Sequence, residues 1–572
     1  MKKQMKVPVI WLSVLALTAG VAGCSSKQQG ETTASPTVKP TATATADSMA
    51  TSLNISWVGA LARGKIENNN FVQKQLESKF NVKLTNKQID VNNTEQVNLM
   101  LASGGLTDVA YMISQDINKL HVNGMTRTIP KAMIQKYAPN YAKMLDDNPP
   151  GWKLSLASGK TDEYLALNGI GLTASGLLWG QVYRLDWMEK LGIKPKGNPV
   201  AIGTSDGRER VFFTTEAFTL EEEEQLFAAM VNRDPDGNGK KDTYAFSPNN
   251  GSLLWWAANY LGAFGLGSGN NLEENGKLVE YNISEKYKAF LKQMADWYKK
   301  GYIDPEFPTL DRNKGYEKFA TGKIGSALSQ YAEAGLKPGA TMQRPPGNLI
   351  TKDPNVKILL TPPPIGPNGQ QGAAAYTPAS DYTSSYLVIK KDVSDEKLIR
   401  ILQIFDYINF DKEGLVMSRY GKEGTDFQWE GTPYKSAITP INEAAKNPEQ
   451  AGLGYYNHQL NTIDIMTYTT PQDVMKLVND YFFNKDKGMK LLLRPYKFDL
   501  FKETKYGDLN TKNGAKLETV RSEYTLQAIT GEINIDSTWN SYVEKWRSNG
   551  GNELMAELEK APKVSDILSR NK

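Results

Sequence analysis

Cys24 is the only cysteine in 572 residues, so the chain can close no disulfide within itself and must hold its fold with an apolar core. Its length predicts more than one such core, because single cores split beyond roughly 250 residues. The two histidines, His121 and His458, leave almost no material for an imidazole base or a zinc site built on imidazoles. No CxxC pair and no Walker-type phosphate loop occurs. Tyrosine (27) and tryptophan (11) far outnumber histidine, which points to a surface that binds by stacking more than to one that moves protons.

The cysteine ends a leader. Lys2, Lys3 and Lys6 precede an apolar run from Val7 to Val21, followed by Ala22-Gly23-Cys24. A basic start, a short apolar stretch and small residues mark a signal peptide over 1–23, and the run is short for a membrane span of about 20 residues. Small residues followed directly by cysteine resemble the bacterial lipobox, in which the thiol is acylated (palmitate or a similar chain) and becomes the new N-terminus. That resemblance implies lipidation at Cys24 and anchoring to the outer face of a cell membrane, in a Gram-positive bacterium. Losing the three lysines takes the formal charge from +4 to +1, which gives no pull toward nucleic acid or an anionic surface. Residues 24–52, rich in Ser, Thr, Ala and Pro, bury too little to offset their ordering entropy and read as a flexible tether.

The folded part opens with alternating Leu53–Val58, a helical pattern on Phe71, Leu76 and Phe80, and a strand at Val82–Leu84. Val97–Ala102 has helical spacing, and Asp108–Met112 reads as a buried strand. Strand, helix, strand, helix, strand is the pattern of a doubly wound α/β sheet, whose ligands sit beyond the carboxyl ends of the strands. Residues 195–216 read as an inserted polar loop or hairpin, and Glu285–Lys300 as a core helix with Tyr287, Phe290, Leu291 and Trp297 on one face. Ile324–Leu328 and Tyr386–Ile389 read as strands, and the part after Tyr434 as mostly helical.

Residues 234–242 read Asp-Pro-Asp-Gly-Asn-Gly-Lys-Lys-Asp. Oxygen ligands at positions 1, 3 and 5, glycine at 6, a carbonyl at 7 and an acid at 9 match a calcium loop. Asp234, Asp236 and Asn238 would give side-chain oxygens, Lys240 its carbonyl, and Asp242 a carboxylate or water contact. Position 12 carries Ala245 where a bidentate Glu is expected, leaving Thr243 or a distant acid to complete the shell. The expected role is a structural Ca2+ clamp; the alternative is an Asp/Gly/Asn turn that binds nothing.

An ordered set of phrases then resembles one family. The phrases are Asn98–Gly104 before Asp108, Lys136–Tyr141, Tyr183–Met188 with Leu191-Gly192, the 234–242 loop, Gly301–Phe307, Gly322–Gly325 and Tyr420–Gly424. They resemble the lipoprotein solute-binding proteins of bacterial ABC transporters, of the large oligosaccharide-binding type, with Thr107 standing where that family usually has proline. The resemblance implies a two-lobed α/β fold of the periplasmic-binding-protein kind (type II) with a hinge between the lobes. It implies a first lobe from 53–165 and 376–415, a second from 166–375 and 416–572, and crossings around Leu165–Trp179 and Ala373–Ser385. It further implies a non-enzymatic monomer that passes a carbohydrate to the transporter's permease subunits. Sugars present C–H faces that stack on rings. On that ground Trp57 at the end of the first strand, Trp255 and Trp256, Tyr331 after the 322–325 phrase, and Trp429 in a polar loop are the expected contacts, core packing being the alternative for each. Trp187 and the Arg184–Asp186 pair read as structural. A secreted glycoside hydrolase working with two carboxylates is the alternative function.

Overall fold

Two separate apolar cores form within residues 49–572, each around its own six-stranded sheet. The computed structural model describes residues 49–569 apart from 61–64, 114, 148–150, 170–175, 178, 206, 249–256, 311, 331–344, 375–384, 447–450, 459–461 and 500–503. The sheet strands of the first half are β1 (Leu53–Val58), β2 (Val82–Asn86), β3 (Val109–Ile113), β4 (Thr126–Arg127), β5 (Leu167–Asn168) and β6 (Trp179–Arg184). They are followed by β7 (Val200–Ala201), β8 (Val211–Phe213), β9 (Tyr244–Phe246), β10 (Ile324–Gln330), β11 (Ile358–Thr361) and β12 (Ser385–Lys390).

The first sheet runs β2-β1-β3-β12-β4, with β5 also on β12. β1 lies parallel to β2, with Ile55 opposite Leu84, and parallel to β3, with Trp57 opposite Val109. Helices α1 (Phe71–Phe80) and α2 (Thr94–Ala102) make the crossovers, as the alternating sequence pattern predicts. Two buried charges tie distant helices to this lobe. Helix α1 ends at Asn81, whose left-handed backbone turns the chain into β2, and the buried Arg400 guanidinium donates to the Phe80 and Asn81 carbonyls. Arg400 comes from α3 (Asp395–Phe410). From the same helix, the Asp406 carboxylate accepts from the Tyr141 backbone N–H at 2.9 Å and the Asn140 side chain at 2.8 Å. It thereby caps the helix Pro139–Asp147.

The second sheet runs β9-β10-β6-β11-β8-β7, with β6 antiparallel to both neighbours. The expected insertion at 195–216 is a hairpin: β7 pairs antiparallel with β8, and the pair extends this sheet at its edge. The helix Glu285–Lys299 buries Tyr287, Phe290, Leu291, Met294 and Trp297, the stripe read from its spacing. Trp187 is buried beneath the Arg184 guanidinium, which forks onto Asp186 at 2.9 and 2.5 Å.

The assignment of 416–572 to the second lobe is corrected for 416–468, whereas the buried apolar residues from Val474 to Leu554 do lie in the second core. Val416, Phe427, Leu453, Tyr455, Tyr456 and Tyr468 all belong to the first core. Their side chains pack on the first sheet, where Tyr456 meets the edge of Trp57. The chain changes core between Leu167 and Leu177, between Ala373 and Leu387, and again between Ile465 and Val474, where Met466 packs in the second core and Tyr468 in the first. The last is a third crossing absent from the sequence reading. Among the described residues no helix is long and apolar enough to cross a membrane.

Candidate functional site

The crossings gather at one end of the first sheet. Gly169 donates to the Ser385 carbonyl at 3.1 Å, so the outgoing and returning segments touch beside β12. On the other side Leu177 donates to the Phe482 carbonyl at 2.9 Å. The side chain of Phe483 lies where a Cβ on Gly176 would stand, 2.6 Å away, so only glycine permits that approach. The third crossing is short: Thr470 closes the helix Ile463–Thr469, and Pro471 precedes the helix Gln472–Leu477.

Below this seam, the first lobe holds its one buried imidazole. His458 Nε2 donates to the Leu167 carbonyl at 3.1 Å, and Nδ1 is buried with no partner among the described residues. Burial, offset in part by that hydrogen bond and reinforced by the neighbouring Arg419 charge, pulls its pKa down to about 4. Arg419 donates to the His458 carbonyl at 2.9 Å. Tyr111 sets its ring edge-on to His458 at 5.3 Å, and burial pushes its phenol up to about 12.

The second lobe carries a wholly buried polar string. Asn259 donates to Gln181 at 3.3 Å, and Gln181 donates to the Tyr260 hydroxyl at 2.9 Å. Tyr183 donates to Glu223, whose pKa burial pushes up to about 8. Glycoside hydrolysis needs two carboxyl groups flanking one bond. Glu223 instead sits sealed in a core with a phenol as its partner. Residues 203–207 spell Gly-x-Ser-x-Gly, the pattern of a serine nucleophile elbow. In sequence they fall between the edge strand β7 and its neighbour β8, just before a single 3-10 turn, while His458 packs in the other lobe. Neither arrangement builds a hydrolytic site.

Of the expected stacking residues, Trp57 is corrected: it is 0% exposed in the first core, because it points into the face that α1 and the 455–456 segment cover. Trp429 is partly buried in an aromatic cluster with Phe427, Tyr434 and Tyr468, at centroid distances of 5.3–5.7 Å. Trp255, Trp256, Tyr331 and Cys24 lie outside the described residues. His458, Arg419 and Glu223 escaped the sequence reading. A lone histidine and a glutamate inside Glu221–Glu224 carry no local signal of burial.

The aspartate loop joins the helix Leu220–Asn232 to β9, at the end of the second sheet opposite the carboxyl ends of the parallel strands β9 and β10. Asp234 accepts from the Asn238 and Gly239 backbone at 3.1 and 3.0 Å, which hold its carboxyl below the usual range. Asn238 donates to Asp236 at 2.8 Å and to Asp242 at 3.1 Å. Lys240 gives its N–H to the Asn238 side chain at 2.7 Å. Thr243, expected to help complete a metal shell, instead buries its hydroxyl against the Met230 carbonyl at 2.8 Å. Among the described residues, the ammonium that pairs with the loop's carboxylates is that of Lys323, 2.9 Å from Asp236 and 2.7 Å from Asp242. By residue type, positions 1, 3, 5 and 9 carry side-chain oxygens of the kind calcium takes, while the last position, Ala245, offers none. Among the described residues no three His, Cys, Asp or Glu side chains converge as a metal cage.

No protein-family profile matches the chain. It is 23% identical over 560 residues to the polygalacturonan/rhamnogalacturonan-binding protein YtcQ of Bacillus subtilis (strain 168), covering 96% of this chain and 97% of that one. Lipoprotein LipO of the same organism is 26% identical over 364 residues, 60% of this chain, and the match spans 64% of LipO. Among solved structures, a human-milk-oligosaccharide-binding solute-binding protein (HMO binding, ABC-transporter associated) of Bifidobacterium longum infantis superposes with a TM-score of 0.66 at 17% identity. That superposition covers 90% of this chain and 99% of the other. An EF-hand mutant of the Streptococcus pneumoniae substrate-binding protein FusA, in complex with fructo-nystose, gives a TM-score of 0.62 at 19% identity, covering 91% and 100%. The alginate-binding protein AlgQ2, solved without calcium ion, gives 0.60 at 17%, covering 89% and 97%. The two cores, the crossings between them and this near-full-length correspondence give the chain the two-lobed fold of these solute-binding proteins, to which it is similar along nearly its whole length.

Proposed function

We propose that the chain is a lipid-anchored receptor, held at Cys24, that captures an oligosaccharide outside the cell and presents it to the permease subunits of an ABC transporter. The observation that carries this reading is the 560-residue correspondence with a polygalacturonan/rhamnogalacturonan-binding protein, on a body of two cores joined by three crossings. A ligand bound between the lobes touches both of them only when they close, so its contacts favour the closed form. In sequence Trp255 and Trp256 come after β9 and Tyr331 comes after β10, and sugar stacking on these rings is part of the proposal. They supply stacking faces, and Trp429 lends a third side by holding the 427–440 hairpin in place. Asp234, Asp236, Asn238, the Lys240 carbonyl and Asp242 would hold a calcium ion far from the ligand, as a clamp on the turn into β9; a bound ion there would stiffen the loop.

Thermal unfolding against a glycan panel tests the receptor reading. A cognate sugar at a hundred times its Kd adds about 2.7 kcal/mol and raises the melting temperature. The panel includes galacturonan and rhamnogalacturonan fragments, fructo-oligosaccharides and neutral milk-type oligosaccharides, with peptides as controls. A shift from a peptide and from no glycan overturns the carbohydrate reading. Release of reducing sugar during incubation would restore the hydrolase.

A further inference from the structure

Lys323 is the last residue before β10, and Tyr244 of the neighbouring β9 donates its N–H to the Lys323 carbonyl at 2.9 Å. That backbone contact sets the lysine stem beside the aspartate loop. Its ammonium bridges Asp236 Oδ2 and Asp242 Oδ2, at 2.9 and 2.7 Å, and its side chain is 34% exposed. Asn238 Nδ2 bridges the same two carboxylates from the loop itself. N–H donors thus occupy oxygen lone pairs that a calcium ion would need, and one of those donors carries a full positive charge.

We propose that Lys323 is the built-in counter-cation of this loop, which calcium must displace from Asp236 and Asp242 in order to bind. The inference rests on reading the loop as a calcium clamp and goes beyond it. The loop keeps its folded form without metal because the ammonium, shared between two of its carboxylates, offsets one of their two charges. Calcium affinity is then set by the exchange of one cation for another, and a loop of this kind is tuned by its charge count. Lys190 provides the internal control. Its ammonium donates to the Pro235 carbonyl at 2.8 Å, equally close to the loop, but sits on a carbonyl that is no metal ligand.

Calcium titration of the chelator-treated full-length protein, by calorimetry and by melting temperature, tests this. Lys323→Gln should bind calcium about tenfold more tightly than wild type, since ligand charge tunes such loops over decades of Kd. Its metal-free melting temperature should fall, because Asp236 and Asp242 then face each other unscreened. Lys190→Gln should change the affinity by less than about threefold, the effect of a charge screened by solvent. A Lys323→Gln protein that binds no more tightly than a calcium-binding wild type overturns the displacement and leaves the clamp standing. Equal gains from Lys190→Gln and Lys323→Gln overturn it as well, reducing the effect to net charge. If neither wild type nor Lys323→Gln binds calcium, the clamp and the displacement fall together.

Discussion

The Tyr183 phenol donates its hydrogen bond to the Glu223 carboxyl in the middle of the second lobe, and both residues are 0% exposed. The pair links the central strand β6 to the helix Leu220–Asn232, whose other glutamates face outward or cap its first turn. A carboxylate in such a place must be paired or neutral. No cation meets Glu223 among the described residues, so it stays protonated up to a pKa of about 8.

Glu223 therefore makes the fold weaken as pH rises. Its folded pKa of about 8 lies above the unfolded value of 4.5, so the folded state holds the extra proton between them. The stability this confers is complete below pH 4.5 and is lost as pH climbs through 8. Glu223→Gln, which keeps the shape and an acceptor for Tyr183, should flatten that slope. Urea melts of both proteins at pH 6 and pH 9 check it: the variant should gain on wild type at pH 9.

His458 acts in the opposite direction. Its folded pKa of about 4 lies below the unfolded 6.5, so the unfolded chain takes up the proton first as pH falls. Stability is complete above pH 6.5 and is lost as pH drops through 4, at a cost on the order of 3 kcal/mol. His458→Gln retains a donor for the Leu167 carbonyl. It should lose less stability than wild type between pH 7 and pH 4.5, read as the difference in denaturant midpoints at each pH.

Much of the fold was legible because its signals are local. The period-two run at Leu53–Val58 and the 3.6-residue stripe from Tyr287 to Trp297 each state their own conformation. The Arg184–Asp186 fork is two residues apart and was readable for the same reason. What could not be read was contact between distant segments. Tyr455 and Tyr456 reach back some 370–400 residues to Trp57 and Asn86, which is why the chain from 416 to 468 stays with the first lobe. Trp57 ends its strand as expected, yet which sheet face a later segment covers is not written in β1. The aspartate spacing reads as a calcium loop, while the ammonium that pairs with two of its carboxylates comes from Lys323, some 80 residues on.

Trp57 gives a direct measure of that misread position. As a core side chain contacting Tyr456, its replacement by alanine should cost about 3–5 kcal/mol, the usual price of deleting a large buried ring. A folded Trp57→Ala protein with wild-type stability and weakened sugar binding would put the ring back in the ligand site. Denaturant unfolding and glycan titration of the same preparation separate the two outcomes.

Asp406 offers a test of how the first lobe is held together across its longest sequence separations. Its carboxylate caps the first turn of the helix Pro139–Asp147 through Tyr141 and Asn140, about 265 residues away. Burial raises its pKa, so the charge is held at some expense and hydrogen bonding, more than ionisation, is what the site needs. Asp406→Ala leaves a buried N–H without an acceptor and should destabilise the protein by about 2 kcal/mol. Asp406→Asn keeps one acceptor oxygen and should cost roughly half of that or less. Denaturant midpoints at unchanged m-value give both numbers. Equal losses in the two variants would show that the charge itself holds the helix to its partner.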